Sequence, residues 1–428
     1  MHIARRQFLG ASASAILAAG TFARGQVFGA NERIRAGVIG MRSRGDYLAK
    51  NLCKLDGVEV GAICDVDREV LEARAAEYKK DMNLSVKTYR DLRDLFADKE
   101  IDVAVIAAPN HWHVLGAVWA CQAGKDVYVE KPMSHTIWEG RQLVAAAEQT
   151  GRVVQVGTQR RSEPEWQRLI ERLKAGVIGD IYHARAIHYS TRPPVPFHPD
   201  EAPPETLDWT LWQGPAPEKP FSRKYVHYDW HWFWHYGNGE LGNNGPHYTD
   251  VANWALGKGL PVHIASQGGR YGYQDSAETP NVQTTTATFA DGTLFTCEIR
   301  GRYSNDEGGS KSGNLFYGSN GYSVDTACYD AEGKEIPDEN PPEKGDPVRM
   351  HLTSFLNAVR TRNRDAVPAK PIDGHIGAAF CHLGNIAYRL GRDVTFDPAT
   401  ETFGGDAEAN AFLTRSGYRE GFEVPKLA

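Results

Sequence analysis

The chain has 428 residues, 41% of them apolar, which is enough material for two domains with sizeable cores. Its formal net charge is −6 with no long basic block, which argues against nucleic acid as a partner, and no stretch of the mature chain reads as a membrane span. Six cysteines (Cys53, Cys64, Cys121, Cys297, Cys328, Cys381) lie scattered without C-x-x-C pairs, so they read as buried free thiols, not as a disulfide framework or a zinc site.

The first segment, residues 1–30, stands apart from the fold. An arginine pair, Arg5-Arg6, precedes Phe8-Leu9 and a mild Ala/Ser-rich run too short to cross a bilayer. It resembles a twin-arginine export signal, cleaved between Gly20 and Ala30, and implies a periplasmic protein; a disordered basic terminus is the competing reading.

From there the periodicity is α/β. Strand-length apolar runs at Ile34–Ile39, Val58–Ile63, Val103–Ala107, Asp126–Val129 and Val153–Val156 alternate with helical patterns at Tyr47–Leu55, Val70–Tyr78, Val114–Gln122 and Ile137–Gln149. Such alternation predicts a doubly wound parallel sheet, a Rossmann domain over residues 31–157. The first strand runs into Gly40-Met41-Arg42-Ser43-Arg44-Gly45, a G-x-G-x-x-G fingerprint whose middle glycine is Arg42. The substitution leaves the phosphate-attracting helix N-terminus in place, provided Arg42 keeps a negative φ. Asp65 ends the second strand about 20 residues beyond Gly45, where a carboxylate accepts from the ribose hydroxyls of NAD and repels a 2′-phosphate. NAD is therefore the expected cofactor, in preference to NADP.

Residues 158–428 change character. "NVQTTTATFADGTLFTCEIRGRY" is β-rich with Asp291-Gly292 as a hairpin turn, and "NLFYGSNGYSVDTACYD" repeats the device with Asn320-Gly321. The stretch between Asp330 and Pro347 is a Pro- and charge-rich surface loop, and helices follow at Val348–Thr361 and Ile372–Leu390, within residues 348–391.

Four motifs add a resemblance. "VIAAPNHWH" (Val105–His113), "VYVEKPMSHT" (Val127–Thr136), "VGTQRR" (Val156–Arg161) and "GNGELGNNGPHYTDVANWALG" (Gly237–Gly257) together resemble the glucose–fructose oxidoreductase/inositol dehydrogenase (Gfo/Idh/MocA) family. The resemblance implies an N-terminal Rossmann domain followed by an α+β domain with a large, open, mostly antiparallel sheet, often used for homo-oligomers. It also implies a cofactor site that includes Pro109, Asn110, His113, Glu130, Lys131 and Gln159, and a cis Lys131–Pro132 peptide. His247 matches the family histidine that takes the hydroxyl proton, while Lys131 stabilises developing negative charge on the reacting oxygen. Substrate contacts are expected from Lys131, Arg160, Trp234, Asn243, Asn244, His247 and Asp250. Many relatives carry an aspartate where this chain has Asn243; Asp250 is the expected substitute for that charge.

"HYDWHWFWHYGNGE" (His227–Glu240) is dense in aromatics, and Trp230, Trp232 and Trp234 are candidates to line a carbohydrate site; packing with Trp209 and Trp212 is the alternative. On a helix, His227, His231 and His235 would share a face with Asp229 nearby, as in a metal hydrolase. Gly237, Gly239 and the aromatic density favour a loop instead, and no metal is expected. The expected activity is hydride transfer between a tightly held nicotinamide cofactor and a hydroxyl of a sugar, polyol or cyclitol. Two alternatives stay open: a glycoside hydrolase that oxidises its substrate transiently, and an exported sugar-binding protein.

Overall fold

Five short apolar runs pair side by side, each too hydrophobic to face water on either side, and a short polar strand pairs along one edge. The computed structural model describes residues 33–428; the proposed signal segment lies outside the described residues. The N-terminal strands are β1 (Ile34–Ile39), β2 (Val58–Cys64), β3 (Lys87–Tyr89), β4 (Val103–Ile106), β5 (Asp126–Val129) and β6 (Val154–Val156). They form one parallel sheet in the order β3-β2-β1-β4-β5-β6, the doubly wound arrangement whose ligands bind beyond the carboxyl ends of the strands. Helices α1 (Ser43–Leu52), α2 (Arg68–Met82), α3 (Leu92–Ala97), α4 (His113–Gln122) and α5 (Ile137–Thr150) connect them. Asp67, Asp91 and Thr136 cap α2, α3 and α5 by accepting first-turn N–H bonds.

The rest of the chain supplies α6 (Pro164–Lys174), β7 (Ile181–Tyr189), α7 (Trp209–Gln213), α8 (Gly239–Asn243), α9 (Gly245–Leu256), β8 (His263–Gly269), β9 (Val282–Thr288) and β10 (Leu294–Arg300). It continues through β11 (Ser312–Gly318), β12 (Gly321–Val324), β13 (Ala327–Asp330), β14 (Glu335–Ile336), α10 (Pro347–Thr361), α11 (Pro371–Leu390), β15 (Val394–Thr395) and α12 (Ala407–Asn410). Nine strands make an open sheet, β14-β13-β12-β11-β7-β10-β9-β8-β15, in which β7 and β10 pair parallel and the other neighbours antiparallel. Helices α9 and α11 bury their apolar faces, including Tyr248, Val251, Phe380 and Leu383, against inward residues such as Phe295, Cys297 and Phe316. The mostly antiparallel second sheet expected from the resemblance is thus present.

The second hairpin needs a correction. Gly318 pairs with Gly321, so the turn is Ser319-Asn320, one residue earlier than the expected Asn320-Gly321. Gly321 opens β12, where an added Cβ would meet the Tyr329 carbonyl oxygen at 2.1 Å. Glycine is there for close strand approach. All six cysteines are unpaired, five of them buried.

The chain returns to its beginning. Leu352, Phe355 and Leu356 of α10 pack with Ile34, Val38, Leu48 and Leu52. Phe422 and Val424 join the cluster built from α4, β4 and β5. Burying one such side chain contributes about 1.5–3 kcal/mol.

Candidate active site

The tight turn after β1 is shaped by two glycines. Gly40 has φ +84°, and a Cβ on it would meet the Ala107 carbonyl oxygen at 2.7 Å. A Cβ on Gly45 would lie 1.9 Å from the Gly40 oxygen, so only glycine lets α1 start against the strand. Arg42 occupies the middle position with φ −77° and no side-chain cap, which leaves the first turn of α1 open to an incoming anion. Its guanidinium turns to Asp67, 3.1 Å away.

Asp65 holds this turn to β2: its Oδ2 accepts from the Met41 N–H at 2.7 Å and its Oδ1 from the Asp67 N–H at 3.0 Å. Burial raises its pKa, against the two backbone bonds and the Arg42 charge, which lower it. Gly40, Arg42, Ser43, Arg44 and Asp65 all face one cavity of about 590 Å³ at the carboxyl end of the parallel sheet. Met41, expected at the cofactor site, does not line this cavity, because its side chain is buried in the core.

Past β4, Pro109, Asn110 and His113 line the same cavity. The His113 ring nitrogens lie 2.7 Å from the oxygens of Pro132 and Ala108, which ties the ends of β4 and β5 together. Buried Asn110 has an amide nitrogen with no hydrogen-bond partner. Glu130 is fixed by the Arg44 Nε at 2.7 Å. The open helix turn, the glycine cradle and the unpaired Asn110 amide fit a dinucleotide, with phosphates on the turn and the ribose side toward Asp65.

Lys131 extends from the end of β5 across to the second domain. Its Nζ donates to the Asn243 carbonyl oxygen at 2.8 Å and lies 3.3 Å from the Asn243 Oδ1. The Lys131–Pro132 peptide is cis. Burial lowers the Lys131 pKa, opposed by Glu130 and Glu240. His247 sits in the first turn of α9, and its imidazole makes no hydrogen bond among the described residues. Burial and then the charges of Lys131, Arg160 and Arg44 push its pKa well below the ordinary value, so the ring is neutral at pH 7. Gln159, Asn243, Lys131 and His247 all line the cavity.

Four expected substrate contacts fall elsewhere. Asp250 is fully buried with both oxygens within 2.9 Å of the Arg161 Nε, so it is committed to an ion pair and does not supply charge to His247. Asn244 donates to Glu240. Arg160 lies over the rings of Tyr248 and Trp166, 4.5 and 4.7 Å from their centroids. Trp234 lines a different cavity.

The aromatic segment divides. Asp229–Trp232 is a four-residue 3-10 helix, so His227, His231 and His235 share no helical face. His227 and His231 face the large cavity with Trp230 and Tyr228. Trp232 packs with Trp212 and Phe233 in a satellite core. Sequence reasoning missed how the 206–231 region covers the cofactor side: Arg68 N–H donates to the Thr206 oxygen and Asp208 N–H to the Val66 oxygen. Leu207, Leu211 and Trp212 thereby become cavity walls. These are backbone contacts between distant loops, and no local pattern announces them.

Residues 34–158 match the oxidoreductase family's NAD-binding Rossmann fold, and residues 196–424 match its C-terminal alpha/beta domain. Over 160 residues the chain is 33% identical to a glycosyl hydrolase family 109 protein from Shewanella baltica, covering 36% of this chain and 35% of that protein. An inositol 2-dehydrogenase from Salmonella typhimurium is 33% identical over 164 residues, 37% of this chain and 48% of that one. The chain therefore spans less than half the length of either relative in these matches. Among solved structures, the WlbA dehydrogenase from Bordetella pertussis, in complex with NADH and UDP-GlcNAcA, shares the fold with a TM-score of 0.64 at 19% identity, over 85% of this chain and 99% of that one. The aldose-aldose oxidoreductase from Caulobacter crescentus, complexed with glycerol, gives 0.64 at 17% identity, over 85% and 100%. With both of its domains matched in order, the chain belongs to the Gfo/Idh/MocA oxidoreductase family and carries that family's NAD-binding Rossmann domain.

Proposed function

We propose that this protein is an oxidoreductase that uses bound NAD to oxidise or reduce a hydroxyl-bearing carbon of a sugar, polyol or cyclitol. The observation that carries the reading is the convergence of Lys131, Asn243 and His247 on the cavity that also receives the glycine turn and Asp65. NAD bound there supplies the two-electron acceptor. His247, neutral and without a protein partner, takes the hydroxyl proton on a ring nitrogen. The Lys131 ammonium donates to the same oxygen and stabilises the charge that develops as the proton leaves. The Asn243 carbonyl fixes the direction of that ammonium, so little reorganisation accompanies the reaction. Trp230 and Tyr228 offer ring surfaces to the same cavity.

A second reading rests on the family 109 glycosyl hydrolase relative. In it the same groups oxidise one sugar hydroxyl, the acidified neighbouring C–H is lost with the aglycone, and water and hydrogen are then returned. One screen separates the two. Sugars, polyols, inositols and aryl glycosides are offered to purified protein, with cofactor absorbance and released aglycone followed together. Net cofactor reduction supports the first reading, aglycone release without net cofactor change supports the second, and inactivity on every class overturns both.

We further propose that residues 1–30 direct twin-arginine export, so that the enzyme works in the periplasm, and that it assembles as a homo-oligomer through its open sheet. Replacing Arg5 and Arg6 together by lysine then removes the protein from the periplasmic fraction. Unchanged export overturns that assignment, and a monomeric mass by light scattering overturns the assembly.

A further inference from the structure

A second cavity, of about 340 Å³, is lined by the end of the aromatic segment, α11 and the C-terminal stretch. One segment serves both chambers: Trp230 and His231 face the first, while Trp234 and His235 face the second. The volume is in the range of small-molecule sites. Its lining contains arginine, histidine, asparagine and hydroxyl side chains between apolar walls, and no aspartate or glutamate among the described residues.

Two features mark it as built for a ligand. Arg389, an exposed residue on the cavity lining, holds its guanidinium over the rings of Trp234 and Phe412, 4.9 and 4.4 Å from their centroids. It makes no hydrogen bond or ion pair with the described residues, and partial burial lowers its pKa. The nearest acid acting on it, Glu278, instead accepts from the Trp234 N–H at 2.9 Å. Held against these rings and without a hydrogen-bond partner among the described residues, the guanidinium keeps its donors for a planar anion. Arg415, by contrast, is already spent on Glu139 at 2.6 Å.

The second feature lies deeper. His135 is 8% exposed; the Gly237 backbone approaches its ring, but neither ring nitrogen makes a hydrogen bond of ordinary geometry. The neighbouring Asn238 has an unpartnered Oδ1. Burial, then the charge of Arg415, keeps His135 neutral, so it offers one donor and one acceptor. Unmet acceptors on Asn238 and His135 call for hydroxyl donors, while the Arg389 edge calls for a carboxylate.

We propose that this cavity is a separate binding site for a small hydroxylated organic carboxylate, of the size of a sugar acid. The carboxylate pairs with Arg389, and the hydroxyls satisfy His135 and Asn238. The inference does not depend on the reaction carried out in the larger cavity.

The test is calorimetric titration of the full chain with D-gluconate, with uncharged D-glucitol and inorganic phosphate as comparators. Wild type binds gluconate more tightly than either, Arg389→Gln weakens it about tenfold or more, and His135→Phe weakens it as well. Lys131→Met, which alters only the first cavity, leaves gluconate binding unchanged. Thermal melting checks that each variant is folded, and Arg389→Lys, which keeps the charge, recovers part of the affinity. Four results overturn the proposal: no gluconate binding, equal binding of glucitol that Arg389→Gln also weakens, equal or tighter binding of phosphate, or a loss that follows Lys131→Met and spares Arg389→Gln.

Discussion

The Lys131 ammonium is held by the Asn243 backbone oxygen at 2.8 Å, so a residue just past the end of a Rossmann strand is positioned by the last residue of a helix in the other domain. Replacing Asn243 by aspartate keeps that carbonyl and adds a carboxylate in place of an amide oxygen 3.3 Å from Nζ. An opposite charge at that range favours the protonated amine. Asn243→Asp should therefore raise the alkaline limb of the kcat/KM profile by about one pH unit or more. A downward shift would contradict the pairing.

In the wild type both limbs are displaced in the acid direction. The rate rises with pH as His247 loses its proton, and its depressed pKa puts that limb below about 6.5. The rate falls as Lys131 loses its proton, and burial brings that limb below about 10.4. Lys131→Ala and His247→Ala should each reduce turnover by about 10² to 10⁴-fold while leaving NAD binding and melting temperature close to wild type. Near-normal rates in either variant would remove that residue from the chemistry.

Asp65 has two duties that can be separated by measurement. Its charge disfavours a 2′-phosphate, so fluorescence titration should show tighter binding of NAD than of NADP. Its oxygens also accept from Met41 and Asp67, so Asp65→Ala should both narrow that preference and destabilise the fold, by about 1–3 kcal/mol for each N–H left unpaired. NADP binding more tightly than NAD to the wild type would refute the assignment.

Arg161 and Asp250 give a stability prediction free of catalysis. Both side chains are nearly inaccessible, 6% and 1% exposed. Arg161→Met strands a buried carboxylate and should cost about 3–5 kcal/mol, read as a fall in denaturation midpoint. The double change Arg161→Met with Asp250→Leu should recover much of the loss.

Cofactor retention is the last expectation. The 206–231 region closes over the cofactor side through the Thr206 and Asp208 backbone bonds. Protein purified without added nucleotide should release NAD or NADH when denatured. An empty protein with weak NAD affinity would sink the idea.

Much of this was legible in the sequence wherever a local pattern had a local cause. The strands Ile34–Ile39 and Asp126–Val129 lie where their apolar runs put them. The short β3 went unseen because Lys87–Tyr89 is a largely exposed edge with no apolar run. The six residues of α3 are too few to show a period. Asp250 misled because helical spacing sets it near His247 in sequence, while its partner Arg161 lies 89 residues away. Trp234 misled for the converse reason: four residues along an irregular segment were enough to carry it into another chamber.

The return of the chain to its own start bears on the order of events during synthesis. Phe422 and Val424 lie within the core around β4 and β5, and Leu427 N–H donates to the Gln142 side chain at 2.6 Å. A nascent chain that ends soon after β6 lacks these residues and the α10 leucines, so its nucleotide-binding half has a ragged, partly wetted interior. Phe422 and Val424 fill their places in that core only once they have been made. Truncation before Phe422 should therefore open the interior of the nucleotide-binding half, at a place remote in sequence from the change.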